Sequence, residues 1–314
     1  MDAVLLQNRL SVRVDAYRNK TKDIVLPIVS PASTGFINFT YYENLGAIEN
    51  KGIEFDLNYT IIKNVNKGIT WNIRLNGIRN EDRIIATSAY LDKLNNANDA
   101  MSVDQTRPQP HYVSGKSLTD IWAVNSLGID PATGKEKFLK ANGTETFIWD
   151  AADKVSAGDM SPDWLGSFGT SVSVKNITAG IYFNYQFGAK IYNQTLADRL
   201  ENADLTYNVD RRSADNRWIQ PGDNALYKPL SLNGMASSPT YATTRLVEDN
   251  DFINCSAISL DYAIPQSIAE KIKAKNAKLG FVANNVFSLG SMKAEKGIYY
   301  PFHHMYSFSI TASF

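Results

Sequence analysis

One cysteine in 314 residues leaves no intrachain disulfide and no Cys-cluster metal site, and a lone Cys255 fits a reducing cytosol as well as a bacterial envelope. Net charge is missing too: 32 Lys+Arg stand against 32 Asp+Glu. The electrostatic footprint of a nucleic-acid binder is therefore absent, and no such partner is expected. No apolar run approaches the roughly 18–20 residues of a spanning helix, so any membrane crossing has to be made by strands. The opening MDAVLLQNRL lacks the cationic segment followed by an apolar one that marks a secretory signal. There is no G-x-S-x-G, no Gly-rich phosphate loop and no H-E-x-x-H. Paired carboxylates such as Asp249 and Asp251 have no partner that would tune them. Neither an enzymatic reaction nor a cofactor is expected. His303 and His304 are adjacent, and neighbours in an extended chain point to opposite faces, so they do not make a metal site.

What is present is alternation. In HHMYSFSITASF, Tyr306, Phe308, Ile310, Ala312 and Phe314 fall on one side of an extended strand and Ser307, Ser309, Thr311 and Ser313 on the other. NRLSVRVDAYR, GIEFDLNYTI, ITWNIRLNG and ITAGIYFNYQF repeat the pattern. Weaker alternation near 118–128, 135–141, 166–175, 254–264 and 277–289 brings the expected total to about ten strands.

A soluble sandwich also turns apolar residues to one side, so the connections have to discriminate. They alternate in length: long around 20–50, short at KNVNKG, long over 81–116, tight at DPATG, medium-long over 142–165, two residues at KN, very long over 190–253, modest over 265–276, and a loop at 290–302. An up-and-down antiparallel sheet puts alternate connections on opposite ends, giving one short-looped and one elaborated end. That asymmetry belongs to outer-membrane β-barrels. The expected fold is therefore all-β: an antiparallel up-and-down barrel segment in a bacterial outer membrane, with lipid against its outer wall. Arg13, Asp15, Glu54, Asp56 and Arg74 all lie on the polar side of their strands, which a lipid-facing surface requires, since an Arg facing mid-bilayer costs roughly 2–4 kcal/mol. Tyr59, Tyr185 and Tyr262 sit toward strand ends, where an interface belt or ordinary strand preference would put them. The competing reading is a soluble all-β surface module, a glycan binder or adhesin.

Several segments, in order, carry a closer likeness: NRLSVRVDAYRNKTKDIVLP, NLGAIENKGIEFDLNYTI, GIDPATGKEKF, MSPDWLGSFGTSVSVKNITAGIYFNYQFGAKIYNQ and VEDNDFINCSAISLDYAIPQSI. Together they resemble the C-terminal barrel half of SusC/RagA-like TonB-dependent outer-membrane transporters of Bacteroidetes, from about residue 8 to Phe314. The resemblance implies that residues 1–314 are the C-terminal part of a barrel of roughly 22 strands. It also implies import of an oligosaccharide or peptide under a SusD-like lipoprotein lid, powered through TonB. The family's plug, its TonB-contacting box and a signal peptide are not visible, so an incomplete barrel is expected: a gene fragment, a truncated reading frame or a split partner. Alone it should aggregate or need the missing half. The stretch SAGDMSPDW stands where many members carry a calcium-like loop, and no calcium is expected.

Within this frame Trp122, Trp149, Trp164 and Trp218, with Tyr227, are candidates for stacking on sugar rings or peptide side chains. For any one of them loop packing is the commoner role of such an aromatic. Arg217, in DNRW, would pair with ligand or lid, or form a structural salt bridge. The resemblance makes Tyr306, Phe308, Ile310 and above all Phe314 the signal read by the outer-membrane assembly machinery. The basic AEKIKAKNAK, 269–278, reads either as a contact with anionic lipid or as a solvated turn.

Overall fold

A computed structural model of the protein describes residues 1–29, 40–44, 46–102, 106–232, 239–292 and 304–314. Nine strands lie side by side in chain order, each antiparallel to the next: β1 (Asp2–Leu5), β2 (Leu10–Thr21), β3 (Gly46–Asn64), β4 (Ile69–Thr87), β5 (Trp164–Val174), β6 (Ile177–Phe187), β7 (Phe252–Ala263), β8 (Asn276–Gly290) and β9 (Met305–Ser313). β1 and β9 form the two margins and do not pair with each other, so the sheet is an up-and-down barrel wall left open.

Eight of the ten expected strands are in this sheet. The segments near 118–128 and 135–141 are not; they belong to small sheets within one long connection, 88–163. The ninth member, β1, was not expected. It is only four residues long and reaches β2 through Leu6, Gln7 and Asn8, all left-handed without a glycine to signal the turn. With these changes the connections alternate strictly, because DPATG no longer counts as a turn between barrel strands.

The short connections share one rim, and main-chain bonds tie it together. Thr60 donates to the Arg9 carbonyl at 2.8 Å, Lys175 to Gly68 at 2.7 Å, Ala263 to Asn176 at 2.8 Å and Lys275 to Ser313 at 2.6 Å.

Register carries the expected facing across the sheet except at a bulge after Thr60, where Ile62 rather than Ile61 takes the place beside Trp71. Along one row of partners Val14 meets Phe55, Phe55 meets Gly77, Gly77 meets Gly166, Gly166 meets Tyr185, and Tyr185 meets Ile253. The row behind it runs through Arg13, Asp56, Asn76, Ser167, Asn184 and Asn254. On the turn side of these rows one face is apolar from strand to strand, and no second sheet covers it among the described residues. Phe308 is 82 %, Ile310 81 % and Leu289 64 % exposed. A soluble domain does not leave such a wall in water.

β3 and β4, at 19 residues each, outrun the 9–11 that cross a bilayer. Their outward sides show where the apolar band stops. Past the Ile53–Arg79 pair the same side carries Lys51, Glu81, Arg83 and Glu49, with Lys51 paired to Glu81 at 3.0 Å and Arg18 to Glu49 at 2.8 Å. The remaining ladder therefore stands clear of the apolar band on the long-loop side.

Tyr185 fills the hollow left by two glycines. A Cβ on Gly77 would come within 2.6 Å of its hydroxyl and one on Gly166 within 2.7 Å, while that hydroxyl donates to the Asn76 carbonyl at 3.0 Å. Gly166→Ala should displace the ring and lower stability by about 1–3 kcal/mol through overpacking. Ser171→Ala, on the other side of the same strand, should leave it nearly unchanged. Thermal unfolding of the two variants checks this.

Candidate functional site

The sheet has almost no buried apolar core of its own. Most buried hydrophobic side chains (Ile121, Trp122, Val124, Ile129, Phe138, Leu200, Leu246) sit in the connections 88–163 and 188–251, which fold together beyond the long-loop rim. Helix α1 (Ala89–Met101) starts where the Ser88 hydroxyl accepts from Leu91 N. Its Asn95 both donates to the Tyr112 carbonyl and accepts from the Tyr112 amide, each at 2.8 Å, pinning the return segment. Asp120–Val124 pairs with Lys154–Asp159, and Ser126–Ile129 with Glu136–Leu139. The second connection joins this body through Val124 N to the Ala242 carbonyl, 3.2 Å, and Ser126 N to the Thr244 hydroxyl, 2.9 Å.

A buried ion network locks the two connections. Arg245 holds Glu136 with two bonds, Nη2–Oε2 at 2.9 Å and Nε–Oε1 at 3.2 Å, and reaches Glu201 through Nη1 at 2.6 Å. Ser126 and Thr243 also donate to Glu136, at 2.6 and 2.7 Å. Burial alone would raise the Glu136 carboxyl; the Arg245 charge and these hydrogen bonds hold it below its ordinary range. Beside them burial pushes the Lys228 ammonium down, partly offset by Glu201 and Glu136.

Next to the network lies a cleft of about 610 Å³ whose walls include Phe138, Phe147, Trp149, Lys228, Thr240 and Tyr241. The Trp149 and Tyr241 rings sit 4.9 Å apart at a tilt of 43°, and the Trp149 indole donates to the Ala242 carbonyl at 3.0 Å, which fixes the pair in the cleft wall. This is a size and a lining suited to a few sugar rings or peptide side chains.

The six residues singled out from the sequence are dispersed. Trp149 lines the cleft. Trp218 stands beside it, its ring against Gly134 and its indole on the Pro131 carbonyl at 2.8 Å. Tyr227 lines a separate polar hollow with Arg212 and Glu248. Trp122 is buried in the loop body, its ring 4.9 Å from His111. Trp164 opens β5 on the outward apolar face, edge-on to Phe55 at 6.0 Å. Arg217 is buried; its guanidinium donates to the carbonyls of Ser213, Leu200 and Lys228 and lies over the Tyr227 ring, in place of a salt bridge. Sequence reasoning missed Tyr241, Phe147, Lys228 and the Glu136–Arg245–Glu201 network. No local pattern marks them, since Trp149 meets Ala242, next to Tyr241, across 93 residues of chain.

An antiparallel sheet with one uncovered apolar face, short turns at one rim and a folded loop body at the other defines a segment of an outer-membrane-type β-barrel. No family model matches the sequence. The chain is 25 % identical over 326 residues to TonB-dependent receptor P39 of Formosa agariphila, covering 91 % of this chain and 31 % of that one. It is 25 % identical over 267 residues to TonB-dependent receptor SusC of Bacteroides thetaiotaomicron, covering 84 % and 25 %. Among solved structures it superposes on the RagAB peptide importer in its open-open state with a TM-score of 0.77 at 22 % identity, covering 98 % of this chain and 33 % of that one. In sequence and fold the chain is SusC/RagA-like, and it spans about a third of the length of the TonB-dependent receptors it matches.

Proposed function

We propose that the chain forms part of the barrel wall and the outer loop body of a TonB-dependent importer in a bacterial outer membrane. In this reading no residue performs chemistry. The polar face lines the route, and the long-loop body shapes the ligand cavity with the Trp149–Tyr241 cleft as its aromatic wall. The observation that carries the reading is the uncovered apolar face joined to a rigid, aromatic-lined body at one end only. A soluble glycan-binding sandwich would bury that face against a second sheet.

The relatives are named as receptors and the solved neighbours as peptide transporters, which supports import of an oligosaccharide or a peptide beneath a SusD-like lipoprotein, with energy supplied through TonB. Trp149→Ala and Tyr241→Ala should each weaken uptake about fivefold, the worth of one aromatic contact near 1 kcal/mol. Trp164→Phe, on the outward face, should leave it unchanged. The measurement is uptake of labelled oligosaccharide and peptide mixtures by cells producing equal surface amounts of each variant. Full uptake by both cleft variants would remove the cleft from the ligand route.

A further inference from the structure

Charge is distributed unevenly between the two rims. The first short turn carries Arg9, the second Lys63 and Lys67, the third Lys175, and the fourth Lys271, Lys273 and Lys275, all exposed. Within these turns the only acidic side chain is Glu270. The main-chain bonds between successive turns set the cations along one continuous edge. Because the chain as a whole is balanced, the compensating acids lie away from this edge. A merely solvated set of turns has no reason to exclude acids, and like charges in a row repel unless an opposing surface meets them.

The edge is also where the apolar wall ends. Ile62, Val174, Ile177, Tyr262 and Leu279 reach it exposed. Beyond them the helical turn Gln266–Ile272 buries Ala269 and leaves Ile268 and Ile272 50 % and 54 % exposed, four residues apart and so on one face. Exposed apolar residues interleaved with lysines are the pattern of a segment lying in a membrane interface. Lys275 is already engaged, its Nζ contacting the Phe314 main-chain oxygen at 3.1 Å, which sets the last residue of the sheet beside the same edge.

We propose that the short-turn rim is a docking collar for anionic phospholipid headgroups of the leaflet it faces, with Ile268 and Ile272 seated among the uppermost acyl carbons. The proposal rests on the membrane placement of the sheet and adds a lipid specificity to it. Headgroup charge supplies the counterions that the protein omits, and attraction of this kind is felt within a Debye length of the surface.

The test uses the protein extracted from outer membranes of producing cells and reconstituted into vesicles of equimolar phosphatidylcholine and phosphatidylglycerol. An environment-sensitive label is placed by Ile272→Cys in a Cys255→Ala background, Cys255 being buried. Brominated phosphatidylglycerol should quench the label at least about twofold more than brominated phosphatidylcholine at equal content. That preference should vanish in high salt and in a variant combining Lys67→Glu, Lys175→Glu, Lys271→Glu and Lys273→Glu. Equal quenching by both lipids, or a preference that survives charge reversal, would overturn the proposal. A second label, at Leu260→Cys on the apolar face, separates the two levels. Quenching there by either lipid confirms insertion independently of headgroup, whereas its absence would sink the membrane placement itself.

Discussion

Arg245→Met should disorganise the loop body while leaving the sheet in place, at a cost of about 3–5 kcal/mol. Removing one partner of a buried ion network strands the others, and here the stranded groups are two carboxylates, Glu136 and Glu201, both closed off from water. The Ser126 and Thr243 hydroxyls cannot neutralise a charge, and among the described residues Arg245 is the only group bonded to Glu136 that carries one. Hydrogen exchange should rise in 120–139 and 196–201 but hardly at all in 164–187. Replacing the set together, Arg245→Met with Glu136→Gln and Glu201→Gln, should recover part of the loss, because the two acids no longer carry the desolvation cost of an unpaired charge, while Lys228 loses the carboxylates that offset its burial. Unchanged exchange in the single variant would show that the two connections are held by apolar packing alone.

The same network sets an acid limit. Glu136 titrates in the folded protein below its ordinary value of 4.5, so folding is favoured wherever the unfolded carboxyl would be ionised, above that value. The contribution disappears as pH falls through the folded pKa. Loop-body protection should therefore be constant near neutrality and drop below about pH 4.5, and Glu136→Gln should flatten that drop. Exchange measured across pH checks both.

The second large effect concerns β9. Phe308→Arg or Ile310→Lys should sharply reduce the amount of protein reaching the outer membrane, whereas Ser309→Lys or Thr311→Lys should be tolerated. Phe308 and Phe281 pack ring to ring at 4.9 Å on the apolar face, with Tyr306 stacked on Phe281 at 6.4 Å, and Ile310 faces Leu279. A cation there costs about 2–4 kcal/mol at mid-bilayer. Ser309 lies on the opposite face beside Gly280, where polar neighbours continue. Loss of Phe314 should also lower abundance if it is the handle the assembly machinery reads. Surface abundance normalised to total expression is the measurement. A worse loss at Ser309 than at Phe308 would reverse the facing and with it the barrel reading.

Facing was legible in the residues alone, because a strand has a side-chain period of two and no partner is needed to see it. Val12, Val14, Phe55, Leu57, Leu75, Ile181, Phe183, Phe308 and Ile310 declare their side from spacing, and the pairing registers agree with each of them. The short turns KNVNKG and KN were legible locally too, while the glycine-free turn from β1 to β2 was not.

Partnership was not. The alternation over 118–128 looks like that of a barrel strand, yet those residues pair within the loop body, since alternation states that a strand exists and not which strand it meets. The loop-side halves of β3 and β4 escaped notice because Glu49, Asn50 and Lys51 face Arg83, Asp82 and Glu81, polar on both faces, and this interruption removes the contrast that periodicity detects before Ile48 meets Ile84. Arg217, expected to pair with ligand or lid or to form a structural salt bridge, is committed to three carbonyls; Glu136, which no local pattern marks, is the centre of the loop body. Glu136 and Arg245 are separated by 109 residues, and the two rings of the cleft wall come from different connections. The amino-acid order by itself determined the sheet and its two faces, which follow from local backbone geometry. Only the tertiary structure decided the loop body and its cleft, because contacts between distant segments depend on how the chain closes its loops and leave no periodic trace in the sequence.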